Sequence, residues 1–173
     1  MIEFKPSNGN NDFNVITKKG IYPAKLAVLR TSYQDEKYAK DKDNNPVEPK
    51  QLISFVFDVM DKEGNNVHVH TKPCTISFNE KSNLPKLWED AVELSNMKDF
   101  QEFFYDAEGN LKDLCVNVNV AVEEKDGKVY NQVKQVMEIT ENNDVKPSEL
   151  FDWDLKVYGK PCDDYDCAPS YKA

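Results

Sequence analysis

The chain lacks any long apolar run. Nowhere does it approach the roughly 18 consecutive apolar residues that a membrane-spanning helix requires, and its first residues have neither the basic start nor the apolar core of a signal peptide. Glycine is also scarce, and none of the six glycines belongs to a phosphate-cradling loop. We therefore expect a cytoplasmic protein without a membrane partner.

Positive charge is in short supply as well. The formal net charge is −9, and the acidic excess lies entirely in residues 91–173, because residues 1–90 carry equal numbers of acidic and basic side chains. Overall basicity therefore cannot support binding to nucleic acid. Any such function would have to depend on local positive patches.

Cysteine occurs four times. Cys74 and Cys115 fall inside apolar, strand-like runs, which suits buried, reduced thiols better than a disulfide framework. This use of cysteine agrees with a cytoplasmic location.

Histidine occurs only twice, at positions two apart. His68 and His70 would share one face of a strand, a spacing that can chelate a metal, and Cys162 and Cys167 could complete a tetrahedral zinc site. The Cys-x4-Cys spacing is not the usual tight pair. We therefore expect no metal and no other cofactor, and favour histidines that lie near phosphates.

Alternation of apolar and polar residues predicts five β strands. Three precede residue 80: Ile21–Thr31, Gln51–Met60, and Val67–Thr71, which resumes after a proline as Cys74–Phe78. The last two, Leu114–Glu123 and Val129–Ile139, form a hairpin around an Asp-Gly turn.

Between the third and fourth strands the spacing of apolar residues changes to that of a helix. Leu84, Leu87, Trp88 and Ala91 lie at i, i+3, i+4 and i+7, after Ser82 as a plausible N-cap. Residues 96–106 form a second short helix or a packed loop. The order of elements is that of the OB fold. We predict a mainly β protein with a five-stranded antiparallel OB-type barrel in residues 20–140, a flexible arm in residues 1–19 and an acidic tail in residues 141–173.

Four segments with this order and spacing resemble phage-encoded single-stranded-DNA-binding proteins. They are Gly20-Ile-Tyr-Pro-Ala-Lys25, Leu52 to Met60, Lys81-Ser-Asn-Leu-Pro-Lys-Leu87 and Asp126-Gly-Lys-Val-Tyr-Asn-Gln-Val133. The resemblance implies a protein that coats single strands during phage DNA replication or recombination in the host cytoplasm.

The resemblance also implies a tail that recruits replication or recombination proteins. The chain departs from the familiar pattern of such tails, because it ends Ala168-Pro-Ser-Tyr-Lys-Ala173 instead of with consecutive aspartates and a terminal phenylalanine. The sequence leaves the oligomeric state open, a homo-oligomer included.

Single-strand binding requires rings for the bases and cations for the phosphates. The connection after the first strand offers both: Arg30, Tyr33, Lys37, Tyr38, Lys40, Lys42 and Lys50. Acidic residues interleave with them, so a solvated loop is the alternative interpretation.

The strands offer further candidates. Phe55 and Phe57 share a face, and we favour the core for them, because large rings more often fill interiors. If they face outward, they form a stacking platform. The remaining binding candidates on the strands are Tyr22, Lys25, Lys72 and Tyr130.

The sequence shows no nucleophile with a matching base, so we expect no catalysis. A different class of function is kept open by the charge asymmetry. The acidic second half could imitate DNA in a protein-interaction module or an inhibitor of a host nucleic-acid enzyme.

Overall fold

The computed structural model describes residues 15–77, 79, 81–93, 100–155 and 160–161. The strands are β1 (Gly20–Tyr33), β2 (Gln51–Met60), β3 (Asn66–His70), β4 (Cys74–Thr75), β5 (Cys115–Lys125), β6 (Lys128–Thr140) and β7 (Lys160–Pro161). The helices are α1 (Asn83–Trp88), α2 (Phe100–Phe104) and α3 (Asp152–Leu155), with a 3-10 helix at Glu36–Tyr38. The predicted order of three strands, a helical region and two strands is confirmed for the described residues.

The strands form one antiparallel sheet in the order β3-β2-β1-β5-β6, with β4 paired to β2 and β7 paired to β1. Bulges in the pairing of β1 with β2 and of β5 with β6 bend the sheet around the core. Among the described residues no strand pairing joins β3 to β6, so the sheet is not closed. The prediction of a closed barrel is therefore not met. β3 is only five residues long, and the chain leaves the sheet before Pro73, which has no N–H to donate.

The core lies between the concave face of the sheet and the helical region. Phe55 and Phe57 are fully buried, and the Phe55 ring lies 5.4 Å from the rings of both Trp88 and Phe104. The predicted helix is thus present as α1, with Ser82 in the N-cap position, and it buries the face that carries Leu84 and Trp88. The preference for Phe55 and Phe57 as core residues is confirmed, and the outward-facing platform is wrong.

Three of the described loops repeat one turn. Asp41, Asp61 and Asp106 each accept two backbone N–H groups, from the residues two and four positions later. The fourth residue of each loop has a left-handed backbone: Asn44 with φ 68°, Gly64 with φ 84° and Gly109 with φ 84°. Such an Asx turn satisfies the backbone locally at the end of each hairpin.

Both ends of the predicted domain extend further than the sequence indicated. Ile16, assigned to the flexible arm, is buried, and its backbone exchanges two hydrogen bonds with the Asn131 amide on β6. Residues 143–155, assigned to the acidic tail and called the covering segment from here on, pack on β2 and β3 with Val145 and Asp154 buried. Residues 1–14, 156–159 and 162–173 of the predicted arm and tail lie outside the described residues.

Cys74 and Cys115 are buried and free, as predicted, and burial raises the pKa of the Cys74 thiol to about 11. Cys162, Cys167 and Phe78 lie outside the described residues. In the described part of the chain, no helix combines the length and the apolar character needed to span a bilayer.

Candidate nucleic-acid interface

A groove of about 780 Å³ occupies the gap between the two unjoined edges of the sheet. One wall is β3 with the residues up to Lys72, and the other is the β5–β6 hairpin between Ala121 and Lys134. Ser148, Phe151 and Trp153 of the covering segment, together with Val15, complete the lining. The groove exists because the sheet bends without closing, which leaves both edges facing each other.

Aromatic rings line this groove on both sides. Trp153 stacks on the imidazole of His70 with ring centroids 4.6 Å apart, and Phe151 packs on the imidazole of His68 at 5.2 Å. The planes of Phe151 and Trp153 differ by only 8°. Tyr130, on the β6 side, is 42 % exposed. The groove therefore presents π surfaces that are partly open to solvent.

The charged residues that line the groove are mostly basic. Lys72, Lys125 and Lys134 are exposed along its walls, opposed by Glu123 and Asp126 at the hairpin. This small excess of lysine stands out in a chain with a net charge of −9. The formal charges of these five side chains sum to +1.

The covering segment is attached to the sheet by a buried polar network centred on His68. The His68 Nδ1 atom lies 2.6 Å from Asp154 Oδ2, and His68 Nε2 lies 2.9 Å from Asp58 Oδ1. His70 Nε2 lies 2.9 Å from the other Asp154 oxygen. Ser148 donates its hydroxyl to Asp58 Oδ1 at 2.6 Å. Sheet and covering segment are thereby joined mainly through Asp58, His68 and Asp154, whose side chains are at most 3 % exposed.

The protonation state of each histidine in this network, His68 and His70, follows from the surroundings of its imidazole ring. Burial alone would lower the pKa of His68, but hydrogen bonds to Asp154 and Asp58 and their charges outweigh it and raise the pKa to about 9. For His70, burial dominates and, with the charges of Arg30 and His68, lowers the pKa despite the contact with Asp154. At neutral pH His68 is therefore an imidazolium between two carboxylates, and His70 is neutral.

The pKa values of the two carboxylates in the network, Asp154 and Asp58, are lowered. Burial would raise the pKa of Asp154, but hydrogen bonds from His68, His70 and the Phe151 N–H hold it well below its usual range. Asp58 shows the same balance, because hydrogen bonds from His68 and Ser148 outweigh its burial and lower its pKa. Both carboxylates are therefore ionised at neutral pH and pair with the charged imidazole.

Ser148, His68 and Asp154 are connected in the order of a catalytic relay, with Ser148 Oγ 2.7 Å from His68 Nε2. A serine nucleophile needs a neutral imidazole to take its proton. Here the imidazole already carries both protons, and Asp58 occupies the same Nε2 atom and accepts the serine hydroxyl. The arrangement fastens the covering segment to β2 and β3.

His68 and His70 lie on one face of a strand, as predicted, and both bind Asp154. In the described part of the chain no group of three or more histidine, cysteine or acidic side chains is arranged to hold a metal ion. His68 is buried, so the expectation of a surface histidine near phosphates is wrong for this residue.

Several predicted binding residues are inaccessible. Phe55, Phe57 and Tyr22 are buried in the core, where the apolar face of the sheet places them, so their rings have no face for a base. Arg30 is 5 % exposed and donates to Ser54 and to the Asp154 carbonyl, so it cannot reach a phosphate. For these four residues the predicted contact with nucleic acid is wrong.

Other predicted residues are accessible but lie apart from the groove. The loop after β1 exposes two rings and four lysines: Tyr33, Tyr38, Lys37, Lys40, Lys42 and Lys50. The Lys37 ammonium lies over the Tyr38 ring, 5.0 Å from its centroid. Lys25 pairs with Asp113 at 3.5 Å. Of the predicted set, Lys72 and Tyr130 line the groove.

Phe151, Trp153, Lys125 and Lys134 line the groove without having been predicted. The only signal in the sequence was that two aromatic residues, Phe151 and Trp153, stand two positions apart. A segment with no core of its own gave no reason to place those rings on β3.

Comparison of the chain with protein-family models, with curated proteins and with solved structures gave no match.

Proposed function

We propose that this chain binds single-stranded DNA with little sequence preference, and that its binding site is the groove between β3 and β6. The proposal includes an OB-type architecture in which the sheet bends into an incompletely closed barrel. OB folds bind oligonucleotides on the face of their second and third strands, next to the loop between the fourth and fifth. In this chain the covering segment packs on that face of β2 and β3, and the groove lies beside it, between β3 and the β5–β6 hairpin.

The observation that carries the proposal is the combination of rings and lysines in one groove. Phe151, Trp153 and Tyr130 offer π surfaces, and Lys72, Lys125 and Lys134 offer cations along the same walls. Stacking on rings tolerates any base, because every base has a π face, and cations bind the backbone whatever the sequence. This chemistry fits a protein that coats exposed single strands during DNA replication or recombination.

The proposal is tested by titrating a labelled oligonucleotide of about 25 nucleotides into the full chain at low salt, with polarisation as the readout; single-strand sites commonly span about 4–16 nucleotides per OB fold. Trp153 lines the groove, whereas Trp88 is fully buried, so quenching of tryptophan fluorescence should come from Trp153. Saturable binding that weakens as salt rises supports the proposal.

An absence of saturable binding at low salt would refute it. If the chain instead captured one host protein at stoichiometric yield and showed no affinity for oligonucleotides, the interaction-module hypothesis would replace it.

A further inference from the structure

We infer that Phe151 and Trp153 together form a platform on which two consecutive bases of a single strand stack, one on each ring. This inference rests on the proposed function and assigns a specific place within the groove. The platform belongs to the covering segment and not to the strands of the sheet.

The two rings are nearly parallel, with centroids 6.5 Å apart and planes that differ by 8°. Each ring packs on a different imidazole of the same strand, Phe151 on His68 and Trp153 on His70. Residues i and i+2 of a strand are separated by roughly 6.6 Å. The separation of the two rings thus matches the spacing of the histidines on β3, and both rings line the groove.

The spacing selects for single strands. Successive nucleotides of a duplex rise by about 3.4 Å per strand, about half of the separation between the two rings. Two neighbouring bases can each cover one ring only when they are unstacked from each other, which a single strand permits and a duplex does not. The platform thus gives the groove a physical reason to prefer single-stranded over double-stranded DNA.

The platform is held in position by the network beneath it. Asp154, between the two imidazoles, accepts the Phe151 N–H at 2.9 Å, and the Asp154 carbonyl accepts a hydrogen bond from Arg30. Asp154, which follows Trp153, is thereby fixed to the sheet, and Phe151 is fixed to Asp154. A rigid, preformed platform spares the entropy of ordering the rings when a strand binds.

The test combines ring variants with abasic oligonucleotides. Phe151→Leu and Trp153→Leu keep an apolar side chain against the histidines and remove the π face. Each should weaken binding of a 25-nucleotide strand by roughly 5- to 150-fold, the range expected for one stacked base. Tyr38→Leu is the matched control, because Tyr38 is 67 % exposed but lies outside the groove.

The same measurement is repeated on the unaltered chain with an oligonucleotide close in length to the shortest one that binds. Two adjacent nucleotides of this oligonucleotide are abasic, and the abasic pair is moved to each position in turn. At one position of the abasic pair, the unaltered chain should bind the oligonucleotide as weakly as a double variant, Phe151→Leu with Trp153→Leu, binds the intact strand. Combining that oligonucleotide with that variant should cause little additional loss, since both remove the same contacts. This arm uses the unaltered protein, so it holds even where a variant folds poorly.

Three outcomes are distinguishable. Equal affinity of the leucine variants and the unaltered chain, together with weaker binding by a Lys134→Gln variant, would overturn the platform and leave the proposed function standing. Weaker binding by Tyr38→Leu alone would overturn the platform in favour of the loop after β1. No binding by the unaltered chain would refute the proposed function itself.

Discussion

At the scale of single residues, His68 is the centre of the polar network that attaches the covering segment. It bridges a strand of the sheet and a segment about 80 residues later, because its two ring nitrogens lie within hydrogen-bonding distance of Asp154 and of Asp58 with Ser148. Removing one partner of a buried charged group leaves the others uncompensated, which costs more than the pair contributes. Loss of His68 should therefore detach the covering segment while the sheet remains folded.

We predict that His68→Ala lowers the free energy of unfolding by about 3 to 5 kcal/mol, the range for breaking a buried ion pair. The measurement is urea denaturation at pH 7. Tyr130→Ala is the control, because this side chain is exposed at the groove and makes no part of the network. An equal, small loss in both variants would show that the network contributes little to stability.

The pKa of His68 also predicts how stability depends on pH. It is raised from 6.5 to about 9, so the imidazolium contributes fully below about pH 6.5 and its contribution disappears as the pH rises through 9. The difference corresponds to about 3 kcal/mol. His70, whose pKa is lowered, opposes this below pH 6.5. Urea midpoints measured from pH 6 to 9.5 should fall on the alkaline side, and a His68→Gln variant should flatten that fall.

At the scale of elements, the repeated Asx turn and the covering segment show two different ways of fixing a loop. The turn is local: an aspartate binds two backbone N–H groups within its own five residues, and the next-to-last residue adopts a left-handed backbone. The covering segment depends on distant partners instead, including the Asn143 amide that donates to the Ala24 carbonyl. Local turns can be recognised from short sequence patterns, whereas distant attachments cannot.

The left-handed position provides an internal comparison. Gly64 has φ 84°, and a Cβ atom at this position would meet no other atom within 4 Å, so a substitution there is opposed by backbone strain and not by a clash. Gly64→Ala should cost about 1 to 2 kcal/mol of unfolding free energy. Gly64→Asn should cost less, because Asn44 occupies the same position of the first loop at φ 68°. Equal losses in the two variants, measured by urea denaturation, would contradict this account.

At the scale of the whole molecule, the distribution of charge matters more than its sum. The chain carries a net charge of −9, yet exposed lysines collect along the walls of the groove. Surface potentials decay within about 8 Å at physiological ionic strength. A bound strand would therefore respond mainly to the lysines beside it.

Under the proposed function, affinity should fall with salt in proportion to the phosphates that are neutralised. Contacts from Lys72, Lys125 and Lys134 predict a slope of log K against log salt of about −2, at roughly −0.7 per phosphate. Lys134→Gln should reduce the slope by about 0.7 and weaken binding for every base sequence. Lys62→Gln, an exposed lysine outside the groove, should change neither. A slope that Lys134→Gln leaves unchanged would exclude this lysine as a phosphate contact.

The order of elements and much of the core could be predicted from the sequence. The alternation around Phe55 and Phe57 and the helical spacing of Leu84 and Trp88 are local patterns, because burial of one face repeats every second or every third to fourth residue. The accessible lysines of the loop after β1 were recognisable from composition. The position of these lysines apart from the groove could not be recognised from composition.

The sequence alone determined strands β1, β2, β3, β5 and β6 and helix α1, since their patterns follow from neighbouring residues. It did not reveal α3 or β7, which lie in the predicted tail. Only the tertiary structure decided that the sheet stays open between β3 and β6, that His68 holds Asp154 across the fold, and that Phe151 and Trp153 face the groove. These features depend on contacts between residues far apart in the chain. The contacts are buried ion pairs and packed rings, whose partners no local spacing reveals.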